Sequence, residues 1–470
     1  MIKINQENRC MNQIAFIYQD QQYEMSVPDS LHNKIDGKMM SSVNFYSADT
    51  FYVMIGLGNY LELTPKKIKS ILAKGVKRMK ELGIMEFSID VSLFIKRYNE
   101  QCLVDIIEGI KLGLYQFSGY KTDKKDSKYS VLLHGIDNEN IEHTQKIIDK
   151  AENLIDGVIL ARDMVNTPAN RFTPSIMSEK VLSLGNKTGF SVEIIEEEQL
   201  EELGMKSFLT VGKSSGNPPK LIVMRYCGNE QSNELTALVG KGVTCDTGGY
   251  CVKPGNSMLG IKGDMAGGAA VIGAIYALAK NKVKTNVVGI IPACENRISR
   301  ESFIPGDVIN SMSGKTIEII NTDAEGRLIL ADAVTYAIEK ENATKIVDIA
   351  TLTGAVASAL GVTTAGVLTN NQEFYQRFKS AYKKSGEQYW QLPIYEEYRD
   401  LIKSDIADIK NCGKSYLSTI TAGLFIEAFV EKVPWIHLDI AGTAWVDPPV
   451  FEYQSTGATG AAVTSLYFMF

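Results

Sequence analysis

The sequence predicts an α/β protein of two domains: a smaller N-terminal α/β domain and a larger C-terminal domain with a mostly parallel central sheet flanked by helices. Three observations predict this fold. The 470 residues are enough for more than one domain. A long helical pattern divides the chain near residue 150. Beyond it, apolar strand patterns alternate with helix patterns, which is typical of a parallel sheet covered on both faces.

The first 148 residues are predicted to form the smaller domain, which includes the start of the dividing helix. Short apolar runs at Phe51–Leu57 and Tyr129–Leu133 indicate strands, and the amphipathic segments Lys66–Leu82 and Gln101–Leu114 indicate helices. The dividing helix itself is predicted over Glu139–Met164, where apolar residues recur at helical spacing. The predicted bounds are therefore 1–148 for the N-terminal domain, 149–165 for the end of the linking helix and 166–470 for the C-terminal domain.

Strand and helix patterns alternate in the C-terminal domain. The strands are predicted at Lys220–Cys227, Ala237–Gly240, Asn286–Ile291 and Lys345–Ile349, and the helices at Ala266–Lys280, Leu328–Glu339 and Ala422–Lys432. Ligands of such sheets bind beyond the carboxyl ends of the strands. Lys241 and Asp246 follow one predicted strand, and Thr351 follows another. We therefore expect the chemistry at this edge of the sheet.

Composition argues against several classes of protein. A net charge of -6 disfavours a general attraction to nucleic acid or anionic lipid. Seven widely spaced cysteines without a C-x-x-C pair indicate a reducing compartment, and the polar N-terminus resembles neither a secretory signal nor a transit peptide. The uncharged run 349–372 holds too many threonines and glycines for a lipid-exposed helix. We expect a cytoplasmic protein without membrane contact, whose metal sites, given only four histidines, would rest on carboxylates.

The stretch Asn321-Thr322-Asp323-Ala324-Glu325-Gly326-Arg327-Leu328 carries two carboxylates and a guanidinium at alternate positions. Side chains two residues apart share a face only in extended or irregular backbone, so Asp323 and Glu325 should converge from a loop. Gly326 would permit a backbone turn there. The alternative interpretation is an Asp that caps the following helix, beside a solvated pair of Glu325 and Arg327.

A second cluster lies upstream and favours a metal site. It comprises Lys241 and Asp246 in Gly240–Gly249, followed by Lys253 and Asp264. Two acidic clusters brought into one pocket would repel each other unless cations neutralise them. Lys241 follows a buried strand, and there it is either salt-bridged or an amine ligand with a lowered pKa. Asp264 could cap the next helix and also direct its carboxylate into the site.

These residues resemble the leucyl aminopeptidase family of dinuclear metallopeptidases. The octapeptide at 321–328 is similar to the family signature. Further motifs follow in the family order: Gly240-Lys241-Gly242, Asp246-Thr247-Gly248-Gly249, Lys253, Asp264-Met265, Pro305-Gly306-Asp307-Val308, Ala350-Thr351-Leu352-Thr353-Gly354-Ala355 and His437-Leu438-Asp439-Ile440-Ala441-Gly442-Thr443-Ala444-Trp445. The resemblance covers about Ala161 to the C-terminus, whereas the first 150 or so residues match only loosely.

The resemblance implies a working two-metal site in a C-terminal catalytic domain. The implied metal ligands are Lys241, Asp246, Asp264, Asp323 and Glu325. The implied catalytic residues are Lys253 and Arg327, and the implied substrate-binding residues are Ile261, Thr351, Leu352, Gly354, Ala441 and Ala444. Two divalent ions per subunit, zinc or manganese with magnesium as a further option, would activate a hydroxide. A bicarbonate ion would bind near Arg327.

The function implied is release of N-terminal amino acids, preferably leucine or similar apolar residues, from peptides. The family also assembles as homohexamers, so the resemblance implies this assembly. One alternative is a DNA-binding or regulatory protein on an aminopeptidase scaffold, which the net negative charge disfavours. A nucleotide-binding enzyme has less support, because Val211–Gly216 lacks the first glycine of a phosphate-binding loop.

Overall fold

The computed structural model describes residues 2–4, 10–20, 36–47, 49–122, 128–136 and 141–470. The chain divides into two compact units, one of Met1–Ile155 with Pro448–Ser455 and the other of Asp156–Asp447 with Thr456–Phe470. The helix Ile141–Asn166 contains the point where the chain passes between them, and it ends two residues before Pro168. Glu139 and Asn140, the predicted first residues of this helix, lie outside the described residues.

The first unit is an α/β unit built on one sheet. In its described part the sheet order is β1-β6-β5-β2-β4-β3, and every neighbouring pair is parallel except β3 with β4. Its elements are β1 (Ile2–Ile4), β2 (Asn12–Ile17), β3 (Ser42–Ser47), β4 (Thr50–Gly56), α1 (Pro65–Glu81), β5 (Glu86–Asp90), α2 (Ser92–Tyr98), α3 (Leu103–Leu114), β6 (Ser130–His134) and the first part of α4 (Ile141–Asn166).

The second unit contains the remaining helices and strands. Its helices are α5 (Pro174–Thr188), α6 (Glu197–Glu202), α7 (Lys206–Gly212), α8 (Ala266–Lys280), α9 (Glu325–Glu339), α10 (Gly354–Leu360), α11 (Gln372–Ser385), α12 (Glu396–Arg399), α13 (Ser418–Glu427) and α14 (Val463–Tyr467). Its strands are β7 (Ser191–Ile195), β8 (Lys220–Cys227), β9 (Thr236–Gly240), β10 (Gly242–Asp246), β11 (Asn286–Asn296), β12 (Val308–Asn310), β13 (Thr316–Glu318), β14 (Lys345–Ala350), β15 (Thr364–Thr369), β16 (Gln388–Gln391), β17 (Ile409–Lys410), β18 (Trp435–Asp439), β19 (Trp445–Val446) and β20 (Gly457–Ala458).

The main sheet of the second unit is mostly parallel, as predicted. Its order is β16-β15-β18-β14-β9-β11-β8-β7, and β10 pairs in parallel with the second half of β11. The central strands β18, β14, β9 and β11 are all parallel, whereas β15 against β18 and the pairs of β8 with β11 and β7 are antiparallel. The carboxyl ends of the central strands therefore meet at one edge.

Helix α8 lies close against the central strands because its first turns contain small residues. A Cβ at Gly267 would approach the carbonyl oxygen of Ile349 to 2.0 Å, so only glycine fits there. The segment Met258–Lys280 is apolar and long enough to cross a membrane, but 61% of its most apolar window is buried inside the protein. We therefore interpret α8 as a core helix.

Strand β11 is longer than the sequence pattern predicted. It was expected to end at Ile291, but it continues to Asn296 because its second half pairs with β10. That pairing sets Asp246 opposite Asn296. The apolar pattern within one strand does not predict its pairing with a strand that is distant in the sequence. Helix α13 also differs from the prediction, since it spans Ser418–Glu427 instead of Ala422–Lys432.

Asp332 on α9 is a buried carboxylate that joins two neighbouring segments. Its oxygens accept hydrogen bonds from the backbone N–H of Phe208, in the first turn of α7, at 2.9 Å and of Met312 at 2.8 Å. Burial raises the pKa of Asp332 to about 7. Because this folded-state pKa lies above the ordinary value of 3.8, the cost of burying the ionised form grows as pH rises from about 4 to 7.

Replacing Asp332 by Ala should lower the free energy of unfolding by about 2–5 kcal/mol, because two buried N–H groups lose their acceptors. Urea denaturation measures this loss. Glu339→Ala, at the exposed end of the same helix, is the control and should leave the midpoint nearly unchanged. An unchanged midpoint for Asp332→Ala would show that the two bonds contribute nothing.

Candidate active site

The predicted ligand residues gather at the carboxyl edge of the central strands. Lys241 directly follows β9, and Asp246 is the last residue of β10. Thr351 directly follows β14, and Glu325 is the first residue of α9. Their arrangement follows from the parallel strand order, which brings segments distant in sequence to one edge.

Lys241 is buried among carboxylates. Its Nζ lies 2.9 Å from Oδ2 of Asp264 and 2.8 Å from Oε1 of Glu325, and it donates to the carbonyl of Thr351 at 3.0 Å. Burial by itself lowers the pKa of Lys241, but the carboxylates of Asp264, Glu325 and Asp246 outweigh it and raise this pKa above its usual range. In this arrangement Lys241 is an ammonium ion in a salt bridge. Its nitrogen must lose a proton before it can bind a metal.

Lys253 bridges two further carboxylates of the predicted site. Its Nζ lies 2.7 Å from Oδ2 of Asp246 and 2.5 Å from Oδ1 of Asp323. Burial lowers the pKa of Lys253, yet the surrounding carboxylates, led by Asp246, raise it above its usual range. The side chain therefore remains an ammonium ion at neutral pH.

The carboxylates have the geometry and chemistry of a divalent-cation site. Asp246, Asp323 and Glu325 offer ligand atoms that all lie within 4.8 Å of one another, and Asp264 adjoins them through Lys241. Burial raises the pKa of both Asp264 and Glu325. Oε2 of Glu325 is buried and has no hydrogen-bond partner among the described residues, which is costly unless a cation supplies one. Hard divalent cations prefer oxygen ligands of this kind.

The local structure differs from the expectations for Glu325, Asp264 and Gly326, and it also excludes the alternative of a capping Asp323. Glu325 was expected on a loop, but it begins α9, so only Asp323 lies in the turn before the helix. Neither Asp323 nor Asp264 caps a helix, and both direct their carboxylates to lysines. Gly326 makes a close contact and not a turn, since a Cβ there would lie 2.6 Å from Nζ of Lys241 and would displace that amine from its carboxylate partners.

Arg327 lies two residues beyond Glu325 on the same helix. Its Nη1 donates to the carbonyl of Asn411 at 2.8 Å, and its Nε is buried with no hydrogen-bond partner in the described structure. Burial lowers the pKa of this guanidinium. An unpaired, buried donor on a cation is suited to an anion. Sequence reasoning missed Asn411, whose side chain also accepts from the backbone N–H of Ile320 at 2.8 Å.

A cavity of about 310 Å³ adjoins the charged cluster. Asp246, Lys253 and Asp264 form its polar side. The rest of its lining is mostly apolar or small: Val165, Ser257, Gly260, Ile261, Gly263, Thr351, Ala441, Ala444 and Trp445. Four of the six residues predicted to bind substrate, Ile261, Thr351, Ala441 and Ala444, thus line this cavity. Leu352 and Gly354 are not among its lining residues.

Asp439 supports the loop that contains Leu352, and sequence reasoning missed its role. This buried carboxylate accepts hydrogen bonds from the backbone N–H groups of Leu352 at 3.2 Å and Ala441 at 3.2 Å, and from the hydroxyl of Thr353 at 2.6 Å. It therefore joins two loops beside the cavity. No spacing in the sequence singles out this role of Asp439, because Leu352 and Thr353 are distant from it in the chain.

Two family models match this chain. The catalytic-domain model of the cytosol aminopeptidase family covers residues 159–467, and the N-terminal-domain model of the same family covers residues 11–124. The chain belongs to the cytosol aminopeptidase family. Membership confirms the resemblance seen in the sequence motifs, and it makes this chain a metal-dependent aminopeptidase.

Individual relatives agree with the family assignment. A "Probable cytosol aminopeptidase" of Clostridium perfringens is 48% identical over 419 residues, which are 88% of this chain and 85% of that protein. Another with the same name, from Clostridium tetani, is 42% identical over 92% of this chain and 90% of its own length. The solved structure of "Bottromycin maturation enzyme BotP in complex with Mn" superposes with a TM-score of 0.88 at 29% identity, covering 98% of each chain.

Metal binding at this site should release protons and strengthen as pH rises. The pKa of Lys241 is raised, so a proton must leave before its nitrogen binds a metal, and the apparent affinity for Mn²⁺ should rise by up to about tenfold per pH unit for each proton released. Calorimetric titration of metal-free protein in buffers of different ionisation enthalpy measures the proton count.

Lys241→Met should reduce the number of protons released. Lys262→Met is the matched control, because the Lys262 amine donates to the carbonyl of Asn166 and not to a ligand carboxylate. A proton count that is the same in the wild type and in Lys241→Met would mean that this amine does not take part.

Proposed function

We propose that this chain releases N-terminal amino acids, preferably leucine or similar apolar residues, from peptides by means of two divalent metal ions. One observation carries the proposal: Asp246 and Asp264, which adjoin the other carboxylates of the cluster, form with Lys253 one side of an otherwise largely apolar cavity. A peptide end seated there would place its first side chain against the apolar lining and its first peptide bond beside the cluster. This arrangement suits an exopeptidase.

Lys241, Asp246, Asp264, Asp323 and Glu325 would hold the metal ions. Zinc and manganese are the candidates, and a related structure is described as a complex with Mn. Such ions, when bound, lower the pKa of water toward neutrality and so supply a hydroxide for attack on the peptide carbonyl. Only the first residue of a peptide carries a free α-amine, and once metal ions balance the ligand carboxylates, this amine would bind as a neutral nitrogen ligand, which favours a chain end over an internal peptide bond.

Lys253 and Arg327 would act as two fixed cations with different tasks. The amine of Lys253, as an ammonium ion, could donate a hydrogen bond to the oxyanion that develops on the attacked carbonyl. Arg327 cannot serve as a base, because a guanidinium stays protonated. Its unpaired Nε supports the proposal that it binds an anion such as bicarbonate, which could accept and return a proton.

Location and assembly complete the proposal. The relatives' names include the word cytosol, and seven widely spaced cysteines with no C-x-x-C pair are consistent with a cytoplasmic protein. A homohexamer is the assembly that the family resemblance implies. Sedimentation of the purified chain would determine it.

Glu325→Gln should lower hydrolysis of a leucine anilide by about 100-fold or more, because it removes the negative charge of a buried ligand whose Oε2 has no other partner among the described residues. The assay is run with Mn²⁺ or Zn²⁺ added in excess. Glu339→Gln, on the exposed end of the same helix, should retain normal activity. Near-normal turnover by Glu325→Gln would exclude Glu325 as a metal ligand.

Ala444→Phe should shift substrate preference toward small first residues. Ala444 is 5% exposed and lines the cavity, so a phenyl ring there would occupy space needed by a leucine side chain. We expect kcat/KM for a leucine anilide to fall by about 10–200-fold while that for an alanine anilide changes little. Equal losses for both substrates would show that this cavity does not select the first residue.

A further inference from the structure

Asn296 lies behind the predicted metal ligands and has no part in the mechanism described so far. It is the last residue of β11, and its side chain is fully buried. Its Nδ2 donates two hydrogen bonds, to Oδ1 of Asp246 at 2.9 Å and to the carbonyl of Thr322 at 3.0 Å. One side chain thereby connects the ends of β10 and β11 with the turn that bears Asp323.

The orientation of this amide is determined by its neighbours. Both groups in front of Nδ2 are acceptors, so the reverse orientation would set the amide oxygen against a carboxylate and a carbonyl. On the other side, Oδ1 of Asn296 is buried with no hydrogen-bond partner among the described residues. Leaving that acceptor unpaired costs stability, which an apolar residue at the strand end would avoid. The presence of an amide at this position is therefore explained by the two hydrogen bonds that it donates and not by packing.

The first donation orients Asp246. Its Oδ1 also accepts from the backbone N–H of Gly248 at 3.0 Å, so two donors engage this oxygen. Oδ2 is then the oxygen directed into the cluster, where it meets Nζ of Lys253. Without the amide, one donor would remain, and rotation about the last side-chain bond of Asp246 would be less restricted.

The second donation holds the backbone that carries the other ligands. Thr322 immediately precedes Asp323, and its carbonyl is the acceptor for Asn296. The hydroxyl of Thr322 in turn donates to the carbonyl of Gly248 at 2.6 Å and accepts from the N–H of Cys251 at 2.8 Å. The Asn296 amide therefore fixes the separation between Asp246 and the turn that bears Asp323.

We propose that Asn296 is a positioning residue that sets the affinity of the site for divalent metal. It would do so by holding Asp246 and the Thr322–Asp323 segment at a fixed separation. This inference rests on the proposed function, in which Asp246 and Asp323 are metal ligands. Groups that orient ligands in this way contribute about 10–100-fold to metal affinity in other metal sites.

The test is Mn²⁺ binding to metal-free, full-length protein, followed by calorimetry or by the electron paramagnetic resonance of free Mn²⁺. Asn296→Ala should bind Mn²⁺ about 10–100-fold more weakly than the wild type. Asn286→Ala is the matched control. Asn286 begins the same strand, and its Nδ2 likewise donates two hydrogen bonds, to the carbonyls of Asn229 at 2.8 Å and Ser232 at 2.9 Å.

The control separates positioning from general destabilisation. Asn296→Ala loses two hydrogen bonds, and Asn286→Ala loses three, since Oδ1 of Asn286 also accepts from the N–H of Asn229 at 3.0 Å. The metal-free thermal midpoint should therefore fall in both variants, while only Asn296→Ala should lose Mn²⁺ affinity. Equal Mn²⁺ affinity in the two variants would overturn the inference. If Asn296→Ala does not fold, Asn296→Ser and Asn286→Ser replace the pair, since serine retains one short donor, and equal Mn²⁺ affinity in the two serine variants would again overturn it.

Asp246→Asn distinguishes failure of this inference from failure of the proposed function. If Asp246→Asn binds Mn²⁺ as tightly as the wild type, Asp246 is not a ligand and the proposed site is wrong. If Asp246→Asn loses binding but Asn296→Ala does not, the metal site stands and the positioning role of Asn296 is refuted.

Discussion

The central constraint on this structure is the burial of several like charges at one edge of a sheet. Asp246, Asp264, Asp323 and Glu325 converge where water is scarce, and such a set is stable only with compensating positive charge. Lys241 and Lys253 each lie between two of these carboxylates. The surrounding fold is arranged to permit this contact: small residues bring α8 against the strands, and a glycine lets α9 begin directly over Lys241.

The parallel topology determines which residues can meet. Strands β9, β10, β11 and β14 run in the same direction, so their carboxyl ends deliver Lys241, Asp246, Asn296 and Thr351 to one place. The cavity lies at that same edge, and Asp439 at the end of β18 supports two of the loops beside it. The cavity and the carboxylate cluster are therefore both formed by residues at or just beyond the ends of adjacent strands. The rest of each strand lies in the core.

Much of this arrangement could be predicted from the sequence, and the failures have a common physical origin. The α/β class, four strands of the main sheet and three helices of the second unit follow from apolar periodicity, and the ligand motifs follow from a family resemblance that the comparisons confirm. The start of α9 at Glu325, the contact that requires Gly326 and the second half of β11 depend on packing between distant segments. The roles of Asn296 and Asp439 were missed for the same reason, because the hydrogen bonds to Asp246 and Thr322 and to Leu352 and Thr353 join segments that no local pattern relates.

The two lysines of the site, Lys241 and Lys253, affect the order in which the protein folds and binds metal. In many small zinc proteins the chain folds only when the metal ion binds, so the metal must be present during folding. Here amines attached to the polypeptide already balance part of the negative charge. The second unit can thus fold before it binds metal. A chelator would then inactivate the protein without unfolding it.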